Sequence, residues 1–127
     1  MKKVLFALPF LIFGIAGCSH TTLGVASGLT AKKVTSITLT YYSSQGNQTF
    51  VVLDEYLADV AKNLLNLGIN RETQQCKCRS LYQFTLTTKN ATYLCDAYSF
   101  SGENVGIYYT CNAEDYDTIV SYTIERS

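Results

Sequence analysis

The sequence predicts an α+β domain in which one amphipathic helix packs on a twisted antiparallel sheet, in the order β-α-β-β-β-β. Two patterns carry this prediction: apolar residues at helical spacing over residues 53–65, and apolar residues that alternate with polar ones in several shorter segments. Alternation leaves one face of each strand apolar, so a helix with a single apolar stripe is the expected cover for that face.

The helix has the clearest pattern of any segment. Asp54 and Glu55 stand in its first turn, where the helix dipole favours negative charge. The apolar stripe, which we expect to face the domain core, consists of residues spaced i, i+3, i+4 and i+7: Leu53, Tyr56, Leu57, Val60, Ala61, Leu64 and Leu65.

Strands are predicted on both sides of this helix. The first covers residues 34–42, and residues 48–52 allow a short additional strand before the helix. A polar connection is expected over residues 69–79, and an acidic loop over residues 112–117. Four alternating segments, joined by turn-forming residues, predict an antiparallel meander: 81–88, 91–99, 105–111 and 118–125.

The N-terminal segment has the pattern of an export signal. Two lysines precede an apolar run over residues 4–17, which is shorter than the roughly 20 residues of a membrane-spanning helix. The run ends in Ile15-Ala16-Gly17-Cys18, which resembles the lipobox of bacterial lipoproteins. The resemblance implies that residues 1–17 are a signal peptide, and that Cys18 becomes the first residue and carries diacylglyceryl and N-acyl lipid. The alternative is an ordinary secretory signal followed by a chance cysteine.

The residues after Cys18 bear on the location of the protein. Because Ser19 rather than Asp follows the cysteine, the resemblance implies sorting to the outer membrane, on the side that faces the periplasm. Small and polar residues predominate up to residue 33, so residues 18–33 are expected to be the lipidated cysteine and a flexible tether. Residues 34–127 would then be a periplasmic α+β domain. Its element order resembles cystatin-like folds and, more loosely, small lipoproteins of bacterial secretion machines, in architecture only.

Four further cysteines remain in the exported domain, and an even set in such a domain predicts two structural disulfides. A bond between Cys76 and Cys78 would close a very small ring, so it ranks last among the three connectivities. The favoured connectivities join Cys76 and Cys78 separately to Cys95 and Cys111. A metal site with four thiolates or a redox pair is the alternative, but the spacing lacks the usual Cys-x-x-Cys.

Composition and motifs argue against catalysis and against nucleic-acid binding. The formal net charge is zero, whereas a nucleic-acid binder shows a basic surplus. The only histidine, His20, lies in the predicted tether, and the sequence has no phosphate-binding glycine loop and no Gly-x-Ser-x-Gly motif. We therefore predict no catalytic residue, no metal, no cofactor apart from the covalent lipid, and no small-molecule substrate.

Tyrosine is unusually frequent, with ten in the chain and no tryptophan. Strand alternation places Tyr42, Tyr98 and Tyr108 opposite the predicted core, among several threonines. This composition suits a recognition surface, although it is also ordinary for a strand. We therefore assign these three tyrosines to a candidate partner-binding face.

Together these observations predict a non-enzymatic lipoprotein that binds another envelope protein. Such a module would serve assembly or docking in a secretion system, a pilus or a similar machine. The alternative is an envelope inhibitor or immunity lipoprotein that acts against a cell-wall hydrolase or toxin.

Overall fold

The fold is one eight-stranded antiparallel sheet with three helices on one of its faces, as seen in a computed structural model that describes residues 20–76, 78 and 80–127. The strands are β1 (His20–Thr22), β2 (Val34–Tyr41), β3 (Gln48–Val51), β4 (Gly68–Glu72), β5 (Tyr82–Thr88), β6 (Thr92–Cys95), β7 (Ser99–Ser101) and β8 (Gly106–Cys111). The helices are α1 (Leu23–Ser27), α2 (Leu57–Leu65) and α3 (Ala113–Glu125). The predicted α+β class is confirmed, as is the short strand before the central helix.

The strands lie side by side in the order β1-β4-β8-β7-β6-β5-β2-β3. The longest ladder joins β2 to β5, with Leu39 opposite Phe84 and Ile37 opposite Leu86. All four of these side chains are fully buried and point to the same face. This face carries the apolar residues of the predicted alternation.

Helix α2 covers the apolar face of the sheet. A 3₁₀ turn at Asp54–Tyr56 leads into it, and its residues Val60, Ala61 and Leu64 have no solvent exposure. These positions are spaced i, i+1 and i+4, so they lie on one side of the helix. The predicted helix and its inward stripe are thus present, although Leu53, at the start of that stripe, is 47% exposed.

Residues 20–33 belong to the fold, so the predicted flexible tether is wrong for the described residues. His20–Thr22 pair with β4, and the amide of Leu23 donates to the carbonyl of Leu67 at 2.9 Å. Leu23 is fully buried, and Leu29 is 8% exposed. Burial of these two leucines holds residues 20–33 on the core of the domain, although the other residues of this segment are mostly small or polar. Cys18 and Ser19 lie outside the described residues.

Helix α3 replaces the predicted acidic loop at 112–117 and the predicted strand at 118–125. The Asn112 side chain accepts a hydrogen bond from the amide of Asp115 and so caps the helix, and Glu114 and Asp115 stand in the first turn. The buried residues follow the helical spacing i, i+3, i+4 and i+7: Tyr116, Ile119, Val120 and Thr123. β-Branched residues disfavour helices only weakly, and packing on the sheet outweighs that preference.

Two further strands differ from the prediction. Residues 68–72, predicted as part of a helix end and a polar connection, form β4 between β1 and β8, with Ile69 fully buried. The predicted strand at 91–99 is interrupted, because the Asp96 carboxylate accepts hydrogen bonds from the amides of Tyr98 and Ser99 at 2.8 and 2.9 Å. This Asp-centred turn separates β6 from β7.

Gly24 permits the close approach of α1 to α2 and gives a test of that packing. A Cβ at position 24 would lie 3.0 Å from the carbonyl oxygen of Leu65 and 3.3 Å from its Cβ. Gly24→Ala should therefore lower the free energy of unfolding by about 1–3 kcal/mol, measured by urea denaturation. Helix propensity alone would make this substitution stabilising, so a loss isolates the steric effect.

The matched control is Gly106→Ala, because a Cβ at position 106 would meet nothing within 4 Å. We expect it to change the free energy of unfolding by less than about 0.5 kcal/mol. Equal stability of the two variants would contradict the packing of α1 on α2.

Candidate functional site

The face of the sheet opposite the helices is uncovered, and we call it the open face. One row of residues runs in register across five neighbouring strands of this face: Val51, Thr38, Thr85, Leu94 and Ser101. Hydroxyl side chains predominate, and among the described residues the open face of β2, β3 and β5–β8 has no charged side chain. Over these six strands it is therefore a neutral surface rich in threonine and serine, and β4 adds Glu72 at its border.

Two large side chains stand out near the middle of the open face. Leu94 in β6 is 42% exposed, and Tyr108 in β8 is 36% exposed. Tyr108 lies between Ser99 of β7 and Glu72 of β4. Leu94 thus stands within the neutral part of the face, and Tyr108 at its border with Glu72. Large exposed side chains of this kind are typical of the buried centre of a protein interface.

The three tyrosines assigned to a partner face do not form one cluster. Tyr42 follows β2, and its hydroxyl donates to Oε1 of Gln83 at 2.9 Å. Tyr108 is four strands away in β8, which corresponds to about 19 Å at the usual strand spacing. Tyr98 belongs instead to the β6–β7 turn, where it is half-buried beside Cys111. The strand break at Asp96 is the reason, because it ends the alternation that placed Tyr98 on this face.

The cysteines pair differently from the favoured prediction. Cys76 is bonded to Cys78, the pairing that ranked last, and Cys95 and Cys111 are free thiols. The predicted bonds from Cys76 and Cys78 to Cys95 and Cys111 are therefore wrong in this structure. A three-residue loop constrains the unfolded chain much less than the longer loops expected from the favoured connectivities.

Cys95 is a structural core residue at the end of β6, with 1% exposure. Its Sγ lies 3.5 Å from the hydroxyl oxygen of Tyr109, and that hydroxyl donates to the carbonyls of Asp96 and Ser99 at 2.7 and 2.9 Å. Burial raises the pKa of the Cys95 thiol to about 12, although its hydrogen bond to Tyr109 opposes this shift. Burial also raises the pKa of Tyr109, so both groups are neutral at physiological pH.

Cys111 lines a cavity of about 220 Å³ between the β6–β7 turn, the start of β5 and the first turns of α3. Its thiol donates to the carbonyl of Ala97 at 3.5 Å. Burial raises the pKa of Cys111 to about 11, and the carboxylates of Asp115, Asp96 and Asp117 act in the same direction. A thiol with this pKa is almost wholly protonated at neutral pH and is a weak nucleophile there.

The remaining candidates for chemistry are dispersed. His20 begins β1, with its Nδ1 3.3 Å from Oδ1 of Asn70. Across the described residues, no group of three or more His, Cys, Asp or Glu side chains is placed to hold a metal ion. None of the helices in the described part of the chain has the length and apolar character needed to cross a membrane.

Comparisons with known proteins add no family to this description. No family model matches the chain, and neither a curated protein nor a solved structure shows significant similarity to it.

The two free thiols give a test of the pocket environment. In the folded protein, alkylation of Cys111 by iodoacetamide should accelerate about tenfold per pH unit between pH 8 and 10, since only the thiolate reacts and its pKa is raised. The rate should level off near pH 11 rather than near 8.5, the ordinary thiol value. Fragment mass spectrometry distinguishes Cys111 from Cys95 and measures each rate.

Cys95 is the internal control, because its side chain is inaccessible. It should react only after the protein is unfolded in urea. A rate at Cys111 that levels off near pH 9, or equal labelling of Cys95 and Cys111 in the folded state, would contradict this description.

Proposed function

We propose that this protein is a lipid-anchored envelope protein, attached through Cys18 to the outer membrane, where it faces the periplasm and binds another envelope protein without catalysing a reaction. The observation that carries the proposal is the open face. Partner assembly or docking, as in a secretion system or pilus, is the role that such a surface suits.

The chemistry of the open face favours a protein partner. It has no charges on β2, β3 and β5–β8 among the described residues, so binding there buries no unpaired charge. Its hydroxyl groups must exchange their hydrogen bonds to water for hydrogen bonds to a partner, which a protein surface can supply. Leu94 and Tyr108 provide apolar area that gains from burial. A polar surface around a few large side chains matches the usual organisation of protein interfaces.

The anchor in this proposal depends on the N-terminal sequence. A basic start, an apolar run and Ile15-Ala16-Gly17-Cys18 follow one another in the order typical of lipoprotein signals. Two or three acyl chains on one cysteine would hold the domain stably at a membrane, whereas a single chain gives only marginal binding.

The open face is tested by Leu94→Lys, which introduces a charge in the middle of the neutral row. The full-length protein is crosslinked in envelope membranes, and each captured protein is quantified by mass spectrometry. We expect recovery of the specific partner to fall at least about tenfold, because a charged side chain buried at an interface centre has no counter-charge there.

The matched control is Leu53→Lys, because Leu53 is 47% exposed but lies next to α2 on the helix side of the molecule. This variant should capture the partner as well as the native chain does. Unchanged capture by Leu94→Lys, or an equal loss in both variants, would contradict the assignment of the open face.

The anchor is tested by Cys18→Ser in the same membrane preparation. Without the lipidated cysteine the protein should leave the membrane fraction, and continued membrane attachment would contradict the anchor.

A further inference from the structure

The attachment point of the proposed lipid is very close to the folded domain. β1 begins at His20, so only Ser19 separates it from Cys18 in the sequence. Two peptide units span at most about 7 Å. Because β1 is paired with β4 and the chain continues directly into α1, a lipidated Cys18 would hold this end of the domain against the bilayer.

We propose that the α1 end of the domain docks on the phospholipid headgroups of the membrane in which Cys18 is anchored, an inference that rests on the lipid anchor of the proposed function. The docking surface consists of Val25 in α1, the apolar cavity between α1 and α2, Lys62 in the cavity lining, and Lys32 and Lys33, which follow the lining residue Ala31. Its occupant is the phosphate-bearing layer of the bilayer.

Val25 is the most exposed of the large apolar residues in the described chain, at 76%. It stands on a five-residue helix that is capped by Thr22 at its start and ends at Gly28 in the left-handed conformation, with φ of 77°. Beside it lies an open cavity of about 480 Å³ with a mainly apolar lining that includes Leu29 and Leu65. Such an apolar surface gains most from contact with the boundary between headgroups and acyl chains.

The charge around this cavity suits phosphate groups. Lys62 lines the cavity, and Lys32 and Lys33 follow Ala31, which also lines it. All three lysines are exposed, and the ion pair found among the described residues joins Arg126 to Glu125 instead. Lysines close to a membrane surface are attracted to the negative charge of anionic lipid.

Docking through α1 also orients the open face. Helix α1 packs against α2, which covers the apolar face of the sheet, whereas Leu94 lies on the other face. A domain resting on α1 therefore does not bury the open face against the bilayer. The same arrangement leaves that face accessible to a protein partner.

The absence of tryptophan from the chain allows a direct test with a single introduced fluorophore. The full-length lipidated protein carrying Val25→Trp is reconstituted in vesicles of phosphatidylethanolamine and phosphatidylglycerol that contain brominated acyl chains. The matched variant is Leu94→Trp, which places the same indole on the open face. We expect quenching by the brominated lipid to be at least about threefold stronger for Val25→Trp, since docked apolar groups reach the acyl boundary.

Aqueous iodide should show the opposite preference and quench Leu94→Trp more strongly. Adding Lys32→Glu and Lys33→Glu to Val25→Trp should reduce the lipid quenching, and the reduction should be larger when phosphatidylglycerol is present than when it is omitted. This dependence separates the docking surface from a general affinity of indole for membranes.

Flotation of the same vesicles distinguishes a failure of the lipid anchor at Cys18 from a failure of docking through α1. If the native chain floats with the vesicles and the two tryptophan variants are quenched equally, docking through α1 is overturned while the anchor stands. If the chain does not float, the anchor itself is overturned, and the docking surface with it.

Discussion

The apolar face of the sheet must be covered from one side, and most of the structure follows from that constraint. Val60, Ala61 and Leu64 of α2 have no exposure, and they meet a face formed by residues such as Ile37 and Phe84. A single nine-residue helix is too narrow for eight strands. Helix α3 on one side of α2, and residues 20–33 with α1 on the other, cover the rest of the apolar face. The opposite face of the sheet stays open.

The layer between α3 and the sheet also buries polar side chains. Thr123 is fully buried in α3, and its hydroxyl donates to the carbonyl of Ile119 at 2.7 Å. Tyr116 spans the same layer, with its ring edge-on to Phe84 and its hydroxyl donating to the carbonyl of Tyr82. Both hydroxyls thus have a hydrogen-bond partner within the layer, which offsets the cost of taking them out of water.

Secondary structure was predictable where a segment has one dominant apolar pattern. It was not predictable where contacts with distant parts of the chain determine whether a segment is helix or strand. The stripe from Tyr56 to Leu65 is long and regular, so the central helix was predictable. Residues 118–125 satisfy both a strand and a helix pattern, and the cap at Asn112 was the signal that distinguished them. β4 has one buried apolar residue, Ile69, and exists because β1 and β8 pair with it on either side.

The candidate site was predictable only in part for the same reason. The Thr- and Tyr-rich composition of alternate strand positions indicated an open face, but the turn at Asp96 took Tyr98 away from it. Leu94 was not singled out, because an isolated apolar residue in a polar row has no periodic signal. The cysteine pairing was not predictable from ring size, because the bond joins Cys76 to Cys78 within the connection between β4 and β5, whereas Cys95 and Cys111 lie in β6 and β8 and stay free.

The orientation of the domain depends on whether residues 20–33 are folded onto α2 or form a tether. Leu23 and Gly28 give the sharpest contrast, since their amides donate to the carbonyls of Leu67 and Gly24 at 2.9 Å. Native-state hydrogen exchange of the full-length protein tests this directly. Folding predicts that both amides exchange more than about a hundredfold slower than in an unstructured chain, and exchange at the unstructured rate would contradict it.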